Sequence, residues 1–181
     1  MDSTALAAVL QEAAAGAAIE PAPTTDLHTT IYVSADDWPA VAQVLRDRAD
    51  LAFDFLAEIT AADYWPREPR YEVVYVLVSI AHRFRLRIKV RLPGADPHVA
   101  TVCRIWPAAN WLEREVWDLF GIAFDGHPDP RRLLMPEDWD GFPLRKDYPV
   151  QIRKTPNAAE PLQLTEEEFS QNVMKDRLTR G

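Results

Sequence analysis

Tyr71-Glu72-Val73-Val74-Tyr75-Val76-Leu77-Val78-Ser79-Ile80 is a near-continuous apolar run, and four residues later Phe84, Leu86, Ile88 and Val90 alternate with Arg85, Arg87, Lys89 and Arg91. The first run suits a central strand buried on both faces. The second has a strict period of two, so it reads as a strand with one apolar and one basic face. The short connection through His82 makes the two a hairpin. Upstream, Leu51, Phe53, Phe55, Ala57 and Ile59 alternate with Asp54, Glu58 and Thr60, which predicts a third strand. Tyr64-Trp65-Pro66 and Pro69 mark the loop between them.

Farther out, Trp38, Val41, Ala42, Leu45 and Ala49 recur at helical spacing, and Ser34 with Asp37 supplies an N-cap signal. Leu27 to Val33 reads as a strand, and Ala17 to Glu20 as a shorter one. Leu6, Val9, Leu10 and Ala13 form either an amphipathic helix stopped by Gly16 or an unstructured Ala-rich tail. Downstream, Asp96 and Pro97 predict a helix start, with Val99, Val102, Cys103 and Trp106 as its buried stripe and Pro107 as its end. A second helix is expected over 108–120, with Asn110 a candidate cap and Gly121 the stop. Ile122 to Phe124 closes the domain as a short strand. The order of elements predicts an α+β fold: a two-layer domain over residues 1–125, its mixed β-sheet packed by helices.

Residues 126–181 have another character. Seven of the fifteen prolines lie at Pro128 and beyond, and no long amphipathic period survives between them. Yet Leu133, Leu134, Met135, Trp139, Phe142, Leu144, Tyr148 and Val150 are large and apolar, which linkers are not. An extended, proline-rich C-terminal interaction arm is expected. Thr165 to Leu178 reads as a closing helix.

Composition bounds the function. The chain has 181 residues and a net charge of -8, which argues against non-specific nucleic-acid binding. Cys103 is the one cysteine, so neither an internal disulfide nor a self-held Fe–S cluster is possible. No apolar run approaches the roughly 20 residues that span a bilayer, and membrane contact is expected only through a partner.

Few clusters carry chemistry. Glu113, Arg114, Glu115 and Asp118 share one helix, with Arg114 and Asp118 an i, i+4 pair. Paired carboxylates can perform acid–base work, but the same pattern makes an interface face. Asp125, His127 and Asp129 have ligand chemistry, yet Asp125-Gly126-His127-Pro128 is also a usual tight loop. Arg131-Arg132 and Arg145-Lys146-Asp147 suit anion contacts or docking. Phosphate loops, dinucleotide fingerprints and nucleophile elbows are all missing. The helix carboxylates are expected to pair with Arg131 or Arg132 and so fix where the arm leaves the domain.

Glu113-Arg114-Glu115, Asp118-Leu119-Phe120, His127, Arg131 and Leu133-Leu134, then Pro136-Glu137-Asp138-Trp139, Gly141 and Pro143-Leu144-Arg145-Lys146-Asp147-Tyr148-Pro149, make one ordered signature. It resembles that of the C-type subunits of NADH–quinone oxidoreductase, the mitochondrial 30-kDa subunit family of respiratory complex I. Pro130 stands where that family usually has Leu, and Phe142 where it usually has His, so no proton-handling role is carried to position 142.

The resemblance implies a non-catalytic, cofactor-free subunit of the peripheral arm, on the cytoplasmic side of the bacterial plasma membrane. FMN, iron–sulfur clusters, NADH and quinone would be bound by other subunits. The partners it implies are the D-type subunit of the quinone site and nearby iron–sulfur subunits, with no nucleic acid. Within the arm, Trp139, Phe142, Arg145 and Tyr148 are the expected anchors, flanked by Lys146 and Asp147. An equivalent subunit of a related membrane-bound hydrogenase or ferredoxin or quinone oxidoreductase is the alternative.

Overall fold

The computed structural model describes residues 3–14, 16–23 and 28–149. The described residues up to Tyr148 form one compact unit, and the expected helix over Thr165 to Leu178 lies outside them. The elements are α1 (Ser3–Ala13), β1 (Ile19–Pro21), β2 (Thr29–Val33), α2 (Trp38–Asp47), β3 (Phe55–Asp63), β4 (Tyr71–Ser79), β5 (Phe84–Leu92), β6 (His98–Ala100), α3 (Ala109–Phe120) and β7 (Ala123–Asp125).

The hairpin is the centre of the sheet. β4 and β5 pair antiparallel without a slip, from Tyr71 opposite Leu92 to Ser79 opposite Phe84. β3 adds antiparallel to β4, β2 runs parallel to β5, and β1 closes the edge, giving the order β1-β2-β5-β4-β3. The sheet is mixed and the fold is α+β, as its sequence predicts. Inward residues alternate: Val73, Tyr75 and Leu77 on β4 and Leu86, Ile88 and Val90 on β5 are fully buried. With Leu6 and Leu10 of α1 and Val41 and Leu45 of α2 they form one core. The Trp38 ring of α2 sits 4.4 Å from that of Tyr75.

Local chemistry sets the start of α2. The Asp37 N–H donates to Ser34 Oγ at 3.1 Å, while the Ser34 hydroxyl donates to Asp37 Oδ2 at 2.6 Å. Only half of the expected capping box forms: the Ser34 N–H donates to the Ala18 carbonyl and not to Asp37, and Asp37 itself stands at the N-cap of α2 without a side-chain cap bond. The same Oδ2 accepts the Ala18 N–H and ties the chain before β1 to the helix start.

Four sequence expectations need correction. Residues 97–106 are not a helix. Asp96 has φ of 51°, a left-handed conformation no N-cap adopts, and β6 pairs in parallel with β7. Val99, Val102 and Trp106 are nevertheless buried, so the apolar residues are the expected ones and the element differs. Asn110 is not a cap: α3 starts at Ala109 without a side-chain cap, and the Asn110 carbonyl faces His127 instead. In β3 the register shifts between Leu56 and Glu58, so Leu56 points inward and Phe55 is half exposed. A bulge of this kind inverts the face of the residues before it. Finally, among the described residues β4 is covered on one face only, and its outward Val74, Val76 and Val78 are half-buried.

Gly121 ends α3 in the left-handed region at φ of 70°, its N–H donating to the Trp117 carbonyl at 2.8 Å. A Cβ there would run into the Phe142 ring and the Arg145 guanidinium. Gly121→Ala is therefore expected to cost well over the ~1–2 kcal/mol of left-handed backbone strain alone. Gly126→Ala is the matched control. It has φ of 79°, but its added Cβ would meet only Thr101 Cγ2 at 3.6 Å. Denaturant midpoints of the two variants separate clash from strain.

Candidate functional site

Helix α3 lies beside the edge strand β3 and carries the polar cluster of the sequence. Its buried residues include Glu113, Arg114 and Asp118, none of which can sit in a core without partners. Each holds a different piece of backbone.

Asp118 has no exposed side-chain surface. Its Oδ2 accepts three consecutive backbone N–H groups, from Leu133 at 2.9 Å, Leu134 at 2.7 Å and Met135 at 2.8 Å. Its Oδ1 accepts from Arg132 Nη1 at 2.7 Å. Burial pushes this carboxyl up, but the Met135, Leu134 and Leu133 amides and the Arg132 guanidinium outweigh it and leave it below the usual range. Arg132 also donates to the carbonyls of Trp139 and Gly141.

Arg114 works on the same strip from the other side. Its Nε donates to the Arg131 carbonyl at 3.0 Å and its Nη2 to the Arg132 carbonyl at 3.1 Å. Its guanidinium lies 5.1 Å from the Trp111 ring centre, and Asp129 is 3.6 Å away. Arg131 itself is exposed and forks onto Asp129. The expected pairing of helix carboxylates with the arm arginines is thus met by Asp118 and Arg132, while Arg131 and Glu113 go elsewhere.

Glu113 holds the turn after β6. It accepts from the Val102 N–H at 2.8 Å, the Thr101 hydroxyl at 2.5 Å and the Cys103 thiol at 3.4 Å. Burial dominates and raises its pKa, as it pushes the Cys103 thiol up to about 11. His127 lies 3.9 Å from the Glu113 carboxylate, and Cys103, Glu113 and His127 place their donor atoms within 4.8 Å of one another. The donor set does not suit a metal in this arrangement. His127 Nδ1 accepts the Asp129 N–H at 3.0 Å, so Nε2 carries the proton and donates to the Asn110 carbonyl at 3.1 Å. Asp125 is exposed on β7 and does not join His127 in a ligand set.

Because its folded pKa is raised, the charged form of Glu113 opposes folding above the unfolded value. Glu113→Gln is expected to change stability by less than about 1 kcal/mol, whereas Glu113→Ala should cost about 2–4 kcal/mol by orphaning buried donors. Urea melts at pH 7 test this, and equal losses would contradict it.

The remaining signature residues fold back on the domain. Arg145 reaches the C-terminal end of α3, where Nε donates to the Phe120 carbonyl at 2.6 Å and Nη2 to that of Gly121 at 3.2 Å. A guanidinium there satisfies orphan carbonyls and complements the helix dipole. Phe142 lies between Arg145 and Arg132, 4.5 and 5.7 Å from its ring centre, and edge-on to Trp117. The Tyr148 hydroxyl donates to the Asp140 carbonyl, and its ring packs over Gly141. Trp139 and Glu115 are half-buried, and Lys146 is exposed.

Two members of this network, Arg70 and Asp63, are not among the candidate residues of the sequence, although Asp147 is. Arg70 forks both onto Asp63 (Nε to Oδ1 2.9 Å, Nη2 to Oδ2 2.8 Å) and onto Asp147 (Nη1 to Oδ2 3.0 Å, Nη2 to Oδ1 2.7 Å). Asp63 also accepts the N–H groups of Trp65 and Lys146. Burial opposes its ionisation, but Arg70 and the two amides hold it down to about 2. The available signal was an acid three residues beyond the last alternating position of one predicted strand, Thr60, and an arginine directly preceding the next.

Two clefts stand out among the described residues. One, about 100 Å³, is lined by Glu113, Arg114, Trp117, Phe124 and His127. The other, about 200 Å³, is apolar and lined by Leu6, Leu51, Phe53, His82 and Phe84. Both are smaller than the roughly 300–1,000 Å³ typical of substrate pockets. Exposed instead are Trp65, Trp111, Leu134 and Leu144.

Residues 31–154 match the profile of the family described as "Respiratory-chain NADH dehydrogenase, 30 Kd subunit". The chain is 48% identical over 120 residues to the C-type subunit of the NADH-quinone oxidoreductase of Herpetosiphon aurantiacus, covering 66% of this chain and 70% of that protein. It is 52% identical over 106 residues to the "C 2" subunit of the same enzyme from Rhizobium meliloti, covering 59% and 58%. Among solved structures it resembles "Nqo5 of the trypsin-resistant fragment (1-134)" at 38% identity and TM-score 0.54, covering 68% of this chain and 98% of that one. It also resembles a chain of the membrane-bound sulfane sulfur reductase, an archaeal respiratory membrane complex, at 27% identity and TM-score 0.62, covering 81% and 85%.

Proposed function

The chain belongs to the respiratory-chain NADH dehydrogenase 30-kDa subunit family, and from that premise we propose that it is a non-catalytic, cofactor-free subunit of the peripheral arm of an NADH–quinone oxidoreductase. It supports assembly and the shape of the quinone-reducing module, while flavin, iron–sulfur clusters and quinone are bound by other chains. It works at the cytoplasmic face of the plasma membrane, beside the D-type subunit of the quinone site and the iron–sulfur subunits. No helix among the described residues is long and apolar enough to cross a bilayer.

The observation that supports this most is the occupation of the buried carboxylates. Asp118, Glu113 and Asp63 each accept three or more hydrogen bonds from this chain's own loops and arm. A catalytic carboxylate needs a face toward substrate, and the acceptor capacity of these is taken up by backbone N–H groups and by the side chains of Thr101, Cys103, Arg132 and Arg70. The exposed Trp65, Trp111, Leu134 and Leu144 are surface that a partner would cover.

The likeness to the sulfane sulfur reductase chain favours a second reading, the equivalent subunit of a related membrane complex with another electron donor. A tagged full-length chain purified from its native membrane decides between them. Co-elution with NADH–quinone oxidoreductase activity, with no stoichiometric flavin or iron in the chain expressed alone, is the expected result. Co-elution with another donor's activity supports the second reading, and a chain that elutes alone overturns both.

A further inference from the structure

We infer that the outward side of the strip over residues 131–148 is a docking ridge, and that it takes a partner protein's segment whose apolar residues are flanked by Lys and Arg. The residues that the sequence marks as anchors do not supply this ridge. Phe142 lies between two guanidinium groups, Arg145 caps the end of α3 and the Tyr148 ring packs over Gly141, so all of them serve this chain's own fold. What the strip leaves exposed is Leu134, at 55%, and Leu144, at 48%.

Both leucines are fixed through their own backbone. The Leu134 N–H donates to Asp118 Oδ2 at 2.7 Å, and the Leu144 N–H to the Leu119 carbonyl at 3.0 Å. They are thus anchored to consecutive residues of α3. In the chain between them, the Trp139 N–H closes a turn onto the Pro136 carbonyl, and Arg132 takes the carbonyls of Trp139 and Gly141. Apolar side chains on a backbone already ordered lose less entropy when a partner docks.

Charge selects the occupant. The turn between the leucines carries Glu137, Asp138 and Asp140, all exposed. Among the described residues their carboxylates make no hydrogen bond or ion pair. Glu137 feels the charge of Arg131, but that guanidinium is forked onto Asp129. Arg132 donates to Asp118, and Arg145 to the carbonyls at the end of α3. Exposed Lys146, beside Leu144, offsets only part of the acidic turn. The excess negative charge is complementary to a basic partner, and complementarity of this kind governs encounter and partner choice. A nucleic acid would meet carboxylates where it needs cations. A second copy of the chain would bring the acidic turn of each toward its like, with a single lysine apiece against it.

This inference rests on the reading of the chain as part of a larger complex, and the experiment separates the two. The full chain carrying a benzophenone amino acid at Leu134 is incorporated into the native complex, and the membranes are irradiated. The expected product joins this chain to one other protein of the complex, in a segment where Lys and Arg outnumber Asp and Glu. In parallel, Glu137→Lys with Asp138→Lys and Asp140→Lys should lower the chain retained in the purified complex by about tenfold or more, with an unchanged melt of the isolated full chain. The same reversal at Glu12, Glu58 and Asp125, exposed carboxylates outside the strip, should leave retention unchanged. If the complex forms and the light-dependent product is absent, intramolecular, lipid-linked, a homodimer or in an acidic segment, the inference is overturned. Undiminished retention of the folded charge-reversed chain, or an equal loss from the control reversal, overturns the basic flank. If the charge-reversed chain melts early, the benzophenone result alone decides. A wild-type chain that does not co-purify with any complex overturns the reading as a complex component instead.

Discussion

Replacing Asp118 by alanine is expected to destabilise the chain by about 3–5 kcal/mol, the range for stripping a buried charge of its partner. The geometry gives two independent reasons. Three amides, from Leu133, Leu134 and Met135, converge on one carboxylate oxygen, and each would be left without an acceptor. Arg132, only 16% exposed in its side chain, would lose the carboxylate oxygen to which its Nη1 donates. Asp118→Asn should cost less, because an amide oxygen can still face the three N–H groups; its NH₂, however, would then oppose Arg132. The order Ala worse than Asn worse than wild type, read from urea melts, is the expected outcome. Limited trypsin digestion gives a second readout, since cleavage after Arg131 and Arg132 should accelerate in the same order. An Asp118→Ala chain as stable and as resistant as wild type would mean that the strip is held by something else.

The consequence reaches function through position rather than chemistry. Leu134 and Leu144, both half exposed, are displayed by the strip that Asp118, Arg114 and Arg145 fasten to α3. Fixing an extended segment before it meets a partner lowers the entropy lost on docking. Released, the same residues would have to be ordered at the moment of binding, and assembly should weaken even where the contacts themselves are unchanged.

Periodic segments declared themselves in the sequence because one residue pattern decided them. The alternation from Phe84 to Arg91 admits only a strand, and the spacing from Ala108 to Phe120 before Gly121 admits only a helix. Residues 97–106 did not, because Val99, Val102 and Trp106 satisfy a helical stripe and a strand-plus-turn equally well. What decides there is tertiary: pairing of β6 with β7 and the Glu113 carboxylate taking the Val102 amide. The site divides in the same way. Glu113, Arg114 and Asp118 stand out as a charge cluster on one helix. Arg70 and Asp63 look like ordinary ends of a loop, and only the fold reveals that Asp147, 77 residues beyond Arg70, returns to them.

Arg70→Ala is the other change expected to cost about 3–5 kcal/mol, since it leaves the fully buried Asp63 side chain charged and unpaired. Arg70→Lys should recover only part of this, because one ammonium cannot fork onto two carboxylates as a planar guanidinium does. The clasp also predicts a pH dependence with a definite sign. Asp63 is held down to about 2 against an ordinary 3.8, despite its burial, by Arg70 and the Lys146 and Trp65 amides. Between those values the unfolded chain binds the proton and the folded chain does not, so stability falls as the pH falls. The contribution is complete above about pH 4 and gone below about pH 2. Asp147, lowered chiefly by Arg70, and Asp118, lowered by its amides and Arg132 against burial, act in the same direction. Glu113, raised by burial, acts in the opposite one and partly offsets them. Denaturant midpoints measured from pH 5 to pH 2 should therefore drop steeply for wild type. Arg70→Ala should start lower and drop less, because its Asp63 and Asp147 have lost what depressed them. Parallel curves would show that Arg70 does not set the ionisation of this pair, and the link between Asp147 and β3 would then rest on the Lys146 amide alone.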